Sequence, residues 1–194
     1  MISLLTGGCQ QDVCTVDGME GFEMSVKLKD LFLETLKREE AATRKTLERV
    51  PEGKNDWAPH EKSMKVGYLA ALVATMPTWV DMMIHQDEID YAPVNQENKA
   101  RPIEWKTTAE LLALFDDSMK KGIAALESTT DEHLMTNWKL KAAGHLITDD
   151  PRYINIQQGM LTHWAHHRGQ LSVYLRLLQV PVPAIYGPSA DEKF

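Results

Sequence analysis

The sequence predicts an all-α four-helix bundle with one long crossover connection and a short β-hairpin before the last helix. Three observations carry this expectation. Four stretches repeat apolar residues at three-to-four spacing, the period of an amphipathic helix. The breaks between them fall on Pro, Gly, Asn and Asp, which is turn chemistry. Finally, 194 residues suffice for one compact domain with a sizeable core and are too few for two of usual size.

The first helix is read from Ser25 to Val50, through Leu28, Phe32, Leu36, Thr43 and Leu47, with Pro51 as its stop. Residues 51–62 are turn-rich, and Ser63 is placed to cap a second helix through Leu69, Leu72, Val73, Met76, Val80 and Met83. Pro77 lies inside that pattern; it removes a backbone donor and predicts a kink. Residues 87–106, with Pro93 and Pro102, read as the long crossover. Thr107 and Glu110 fit a capping box that opens a third helix through Leu112, Phe115, Met119, Ile123 and Leu126, ending near Ser128. Alternation around Trp138 and Leu140, the turn Ala142-Ala143-Gly144 and the pair Leu146-Ile147 suggest the hairpin. Asp150-Pro151 then reads as a cap with proline at the first helical position, and the fourth helix runs to about Gln179, before Val180-Pro181-Val182-Pro183.

Composition narrows the function. With 21 Lys and Arg against 28 Asp and Glu, the net charge of −7 leaves no basic surplus for a phosphate backbone or an anionic leaflet, so neither nucleic acid nor membrane is an expected partner. No apolar run approaches the roughly 18 residues a bilayer span requires, and a soluble cytoplasmic protein is expected. The two cysteines, Cys9 and Cys14, cannot build a disulfide framework. A lipoprotein reading of Leu4 to Cys9 lacks both a basic flank and an adequate apolar stretch. Residues 1–23 are read as an N-terminal extension, and residues 24–194 as the bundle domain.

Three of the seven histidines, His163, His166 and His167, lie within five residues of the fourth helix. Positions 156, 160, 163, 167, 171, 174 and 178 advance by three or four, so His163 and His167 share the inward face with Ile156, Met160, Leu171, Tyr174 and Leu178. His166 falls nearer the edge. An i, i+4 pair lets two imidazoles reach one divalent metal at roughly 2.0–2.2 Å. The blander reading, two hydrogen-bonded core histidines, is also consistent with this spacing. For Arg168, pairing with an acidic side chain or backbone carbonyls inside the fold outweighs binding of an anionic substrate. The five tryptophans, Trp57, Trp79, Trp105, Trp138 and Trp164, read as core or interface. Asp116, Asp117, Lys120 and Lys121 read as a solvated face.

The run His163-Trp164-Ala165-His166-His167-Arg168-Gly169-Gln170-Leu171-Ser172-Val173-Tyr174-Leu175-Arg176 resembles the terminal-helix signature of DinB/YfiT-like proteins. Val180 to Glu192 resembles the tail of one subgroup, and Trp57 to Met64 and Leu69 to Trp79 resemble the family's entry to helix two. The resemblance covers residues 24–192 and implies a metal, often nickel or zinc, held by one histidine from helix two and the HxxxH pair of helix four. The pair falls on His163 and His167. The helix-two position falls on Leu72, which cannot coordinate. His60 and His85 lie 12 and 13 residues from Leu72, about 18–20 Å along a helix, too far to fill the same vertex. Nothing in the sequence favours His145 or a loop carboxylate as a substitute.

The resemblance therefore leaves two functions. One is a non-catalytic or small-ligand-binding member with a degenerate divalent-metal site. The other is a metal-dependent enzyme, a thiol-dependent S-transferase or isomerase using His163 and His167 with a low-molecular-weight thiol. The resemblance also implies a homodimer formed through a helix face.

Overall fold

A computed structural model describes residues 26–92 and 103–193. Cys9, Cys14, the expected extension at 1–23 and the prolines Pro93 and Pro102 lie outside the described residues. The described residues are mostly helical, with one small sheet. In order it forms α1 (Leu28–Leu47), α2 (Val66–Thr75), α3 (Thr78–His85), β1 (Glu88–Asp90), α4 (Thr108–Ser128), α5 (Asp131–Leu134), β2 (Asn137–Ala142), β3 (His145–Pro151) and α6 (Arg152–Ile154). A π-helical segment, Asn155–Thr162, and α7, His163–Leu177, complete it.

Four long helical stretches pack around one core. α1 lies against α4, α2 and α7, and α4 lies against both α2 and α3. The apolar positions read from the sequence fill that core: Phe32, Leu36 and Leu47 of α1, Leu69 and Val73 of α2, Phe115 and Met119 of α4, and Trp164 and Leu171 of α7 are all buried. Among the described residues no single helix is long and apolar enough to cross a membrane.

The expected kink is a full break. α2 and α3 meet at 51° across Met76 and Pro77, and several of the backbone groups released there find side-chain partners. Pro77 has no N–H for the carbonyl of Val73, four residues earlier; the Trp164 indole N–H supplies one at 2.8 Å. Ser118 of α4 donates its hydroxyl to the Thr75 carbonyl at 2.9 Å and receives the Thr78 N–H at 2.9 Å. Close approach at this corner requires Gly122, because a Cβ there would stand 2.7 Å from the Pro77 carbonyl oxygen.

Helix starts divide into confirmed and corrected. Thr107 and Glu110 form the capping box in full. Ser63 does not cap α2, which opens at Val66 after Lys65 with no side-chain cap. Asp150 does not cap the last helix either. It stays in β3, accepting the Thr148 hydroxyl, and Pro151 takes the cap position without a side-chain bond. α1 is capped from a distance: Asp131 of α5, a helix the periodicity did not indicate, accepts the N–H groups of Leu28 and Lys29 at 2.8 and 2.9 Å.

The hairpin exists and is larger than expected. β2 and β3 pair antiparallel, and β1, from the stretch read as pure crossover, adds parallel to β2. The helical fold with a hairpin before the last helical stretch stands as expected, and β1 is the one strand added to it. The turn residues Ala143 and Gly144 have φ of 51° and 79°, the left-handed pair a two-residue I′ turn needs. Asp90 of β1 clamps it, accepting from the N–H groups of Ala143 and Gly144.

Candidate functional site

The last helical stretch carries the candidate residues, and its π-helical segment sets their phase. Asn155 and Ile156 are buried, and the next buried pair is Met160 and Leu161, five residues on. A regular α-helix would return after three or four. Downstream the most deeply buried residues are Trp164, Arg168, Leu171 and Leu175. The stripe centre thus lies one residue C-terminal to the face read from the sequence. His163 and His167 are brought together as expected, but on the margin of the core: His167 is 8% exposed, His163 half-buried and His166 exposed.

That margin faces α2 and α3. Trp164 ties α7 to α2 at Val73, and Tyr174 ties its far end to the Met64 carbonyl at 3.2 Å, so the two stretches run antiparallel. Trp79 of α3 stands with its ring centroid 5.6 Å from that of His163. Leu72, next to the anchored Val73, is half-buried and packs against the core.

The two imidazoles are 4.4 Å apart between centroids, tilted by 42°. His163 Nδ1 lies 3.3 Å from the Gly159 carbonyl oxygen, and His167 Nδ1 lies 2.8 Å from Gln170 Oε1. The Gly159 carbonyl can only accept, so His163 Nδ1 is the donor in that contact. The anchors lie on opposite sides, Gly159 one turn before the pair and Gln170 one turn after. Burial holds the His167 pKa below the ordinary imidazole value. The Gln170 bond opposes this, and the neighbouring His163 and His166 add to the lowering.

Two donors do not complete the metal set implied by the resemblance. Among the described residues no three His, Cys, Asp or Glu side chains gather into a group able to hold a metal ion. His145 is exposed at the start of β3, and two surface depressions lie elsewhere. One, between α1 and α4, is floored by Met119 and Ile123; the other is near His85 and His133.

Arg168 is structural, as read from the sequence. Only 1% exposed, it pairs with Glu39 of α1 at 2.5 Å and donates to the Thr43 hydroxyl at 2.9 Å and to the Tyr186 hydroxyl. Tyr186 in turn donates to Glu39 at 2.8 Å. Arg176 with Asp191, and Arg49 with Glu192, fasten the same tail. Trp105, Trp138 and Trp164 are buried, whereas Asp116, Asp117, Lys120 and Lys121 are exposed. Sequence reasoning missed the contributions of Gly159, Gln170 and Trp79. Gln170 was legible in principle, three residues after His167; Gly159 was not, because its role depends on the π-helical phase.

The model of the DinB family matches residues 24–193. No curated protein sequence matches the chain. Among solved structures, the chain is similar to a DinB-like protein from Bacillus cereus at 18% identity and a TM-score of 0.59, covering 81% of this chain and 97% of that one. It is also similar to the DinB-like protein YjoA from Bacillus subtilis at 21% identity and a TM-score of 0.59, covering 79% and 96%. At these identities the likeness establishes the fold.

Proposed function

The chain belongs to the DinB family, and from that premise we propose that it is a non-catalytic, small-ligand-binding member whose divalent-metal site is reduced to His163 and His167. One observation carries the reading. The position that the family resemblance assigns to the helix-two ligand is Leu72, which packs into the apolar core beside Val73. Two imidazoles from one helix leave a tetrahedral set two ligands short, and a catalytic zinc site normally takes three from the protein. Leucine at the third vertex also makes the space drier, which disfavours an ion further.

The close pairing of the two imidazoles, 4.4 Å between centroids, favours a second reading, a metal-dependent thiol transferase or isomerase. It would require nickel or zinc to be held by the histidine pair with ligands from outside the described residues. Elemental analysis of the purified protein and of Leu72→His separates the two. A metal-free natural protein together with a Leu72→His variant that takes up about one nickel or zinc per chain supports the degenerate site. Stoichiometric metal in the natural protein overturns it.

A further inference from the structure

Residues 180–192 form neither helix nor strand, and Pro183 is their one buried residue. The segment is nevertheless an ordered loop, closed on itself through side chains. Asp191 Oδ2 accepts the Val182 N–H at 2.8 Å, Glu192 Oε2 accepts that of Ala184 at 2.9 Å, and the Ser189 hydroxyl donates to the Val182 carbonyl at 2.7 Å. Its attachment to the bundle is of a different kind. Among the described residues, the hydrogen bonds and ion pairs that hold it beyond Val180 run through Arg49, Arg168, Arg176 and Glu39. Arg176 pairs with Asp191, and Arg49 pairs with Glu192 and donates to the Pro181 carbonyl at 3.2 Å. Each carboxylate thus closes the loop with one bond and fastens it with another.

The fastenings differ in their response to salt. The side chains of Arg176 and Asp191 are 49% and 26% exposed and those of Arg49 and Glu192 25% and 31%, so dissolved ions screen both pairs. The Arg168–Glu39 pair beneath, at 1% and 20%, is screened much less. Tyr186 of the loop covers that pair: its ring centroid stands 5.2 Å from the Arg168 guanidinium carbon and its hydroxyl bonds the same group. We propose that residues 181–192 are a salt-sensitive clasp, a preformed loop that releases from the bundle as one unit when the Arg49–Glu192 and Arg176–Asp191 pairs are screened, and so uncovers the Arg168 guanidinium. The bonds internal to the loop need no distant counter-charge and keep its shape. Arg168 keeps Glu39 and Thr43 after release, so the core retains its counter-charge and stays folded. Ionic strength thereby sets whether this arginine is covered or open.

Arginine modification by phenylglyoxal, mapped by mass spectrometry on the full chain, reads the open state directly. Rates are referred to the exposed Arg38, and Arg152, 2% exposed and bonded to Thr136, Asn137 and Asp87 away from the loop, reports any general unfolding. Raising sodium chloride from about 0.02 to about 0.5 M, which shortens the screening length from roughly 20 to about 4 Å, should speed modification of Arg168 and leave Arg152 protected. Asp191→Asn and Glu192→Gln keep an acceptor for the Val182 and Ala184 N–H groups and remove the charge. Each should speed Arg168 about two- to fivefold at low salt, the loss of one exposed ion pair, and together they should abolish most of the salt response. Amide exchange tests release as a unit: Asp191→Asn should speed the Ala184 amide, bonded to Glu192, as well as that of Val182. The clasp is overturned if Arg168 reacts no faster in the double variant, if Arg152 becomes reactive in step with it, or if Ala184 exchange ignores Asp191→Asn.

Discussion

The Trp164 indole N–H lies 2.8 Å from the Val73 carbonyl oxygen, the acceptor that Pro77 leaves without a helical donor. A side chain from the last helical stretch thus completes the hydrogen bonding of a break in the second. Trp164→Phe should strand that carbonyl and cost about 1–3 kcal/mol from the lost bond, beyond the loss of volume. A double-mutant cycle with Pro77→Ala isolates the term: restoring an N–H at position 77 should make the Trp164 substitution measurably cheaper in urea unfolding. Equal costs in both backgrounds would show that the two groups are not coupled.

Gly122→Ala should destabilise the same corner. The added Cβ would stand 2.7 Å from the Pro77 carbonyl oxygen, and backbone must move to admit it. Overpacking of this kind costs about 1–3 kcal/mol, read as a lower melting temperature. No loss would mean that α4 shifts freely against the break.

The Arg168 network predicts an asymmetric outcome. Glu39→Gln leaves a buried guanidinium without its counter-charge, and breaking a buried pair from one side costs about 3–5 kcal/mol. Glu39 retains 20% exposure, which places the loss toward the lower end. Replacing Arg168 and Glu39 together by Met and Leu should cost less than Glu39→Gln alone, as denaturant titration can measure.

His167 gives a stability change near neutrality. Burial lowers its folded pKa below the ordinary 6.5, so the unfolded chain binds the proton more readily. The corresponding stability is fully present above about pH 6.5 and is lost as pH falls through the folded value. His167→Gln should flatten the decline in melting temperature that begins as pH falls below about 6.5. A second decline begins lower. Asp131, whose pKa is held below 3.8 by the N–H of Lys29 and then that of Leu28, contributes stability above that value and loses it as acid protonates it.

Ala143 occupies the left-handed region at φ 51°, followed by Gly144, where Asn-Gly is the favoured hairpin pair. Ala143→Asn should stabilise the hairpin by about 0.5–1 kcal/mol, seen as slower amide exchange across β2 and β3.

Much of this molecule was legible from residue order, for physical reasons. The capping box at Thr107 and Glu110, the break at Pro77 and the buried faces of α1 and α4 depend on neighbours within one or two turns. The features that escaped depend on distant partners. Asp131 caps a helix about a hundred residues earlier in the chain, and β1 exists only because β2 offers it an edge. The site was half legible. Spacing placed His163 and His167 side by side, but not at the core margin, because spacing assumes a uniform period and the stretch from Asn155 to Thr162 departs from it.

That departure gives the final helical stretch a built-in gear change. Removing one residue between Asn155 and Thr162 would let the segment relax to regular α-helical winding and turn everything after it by about 100° relative to the core. Trp164 would leave Val73, Arg168 would leave Glu39, and the imidazoles would be carried off the margin facing α3. Change in length is thus barred within this short stretch, though side chains there can vary.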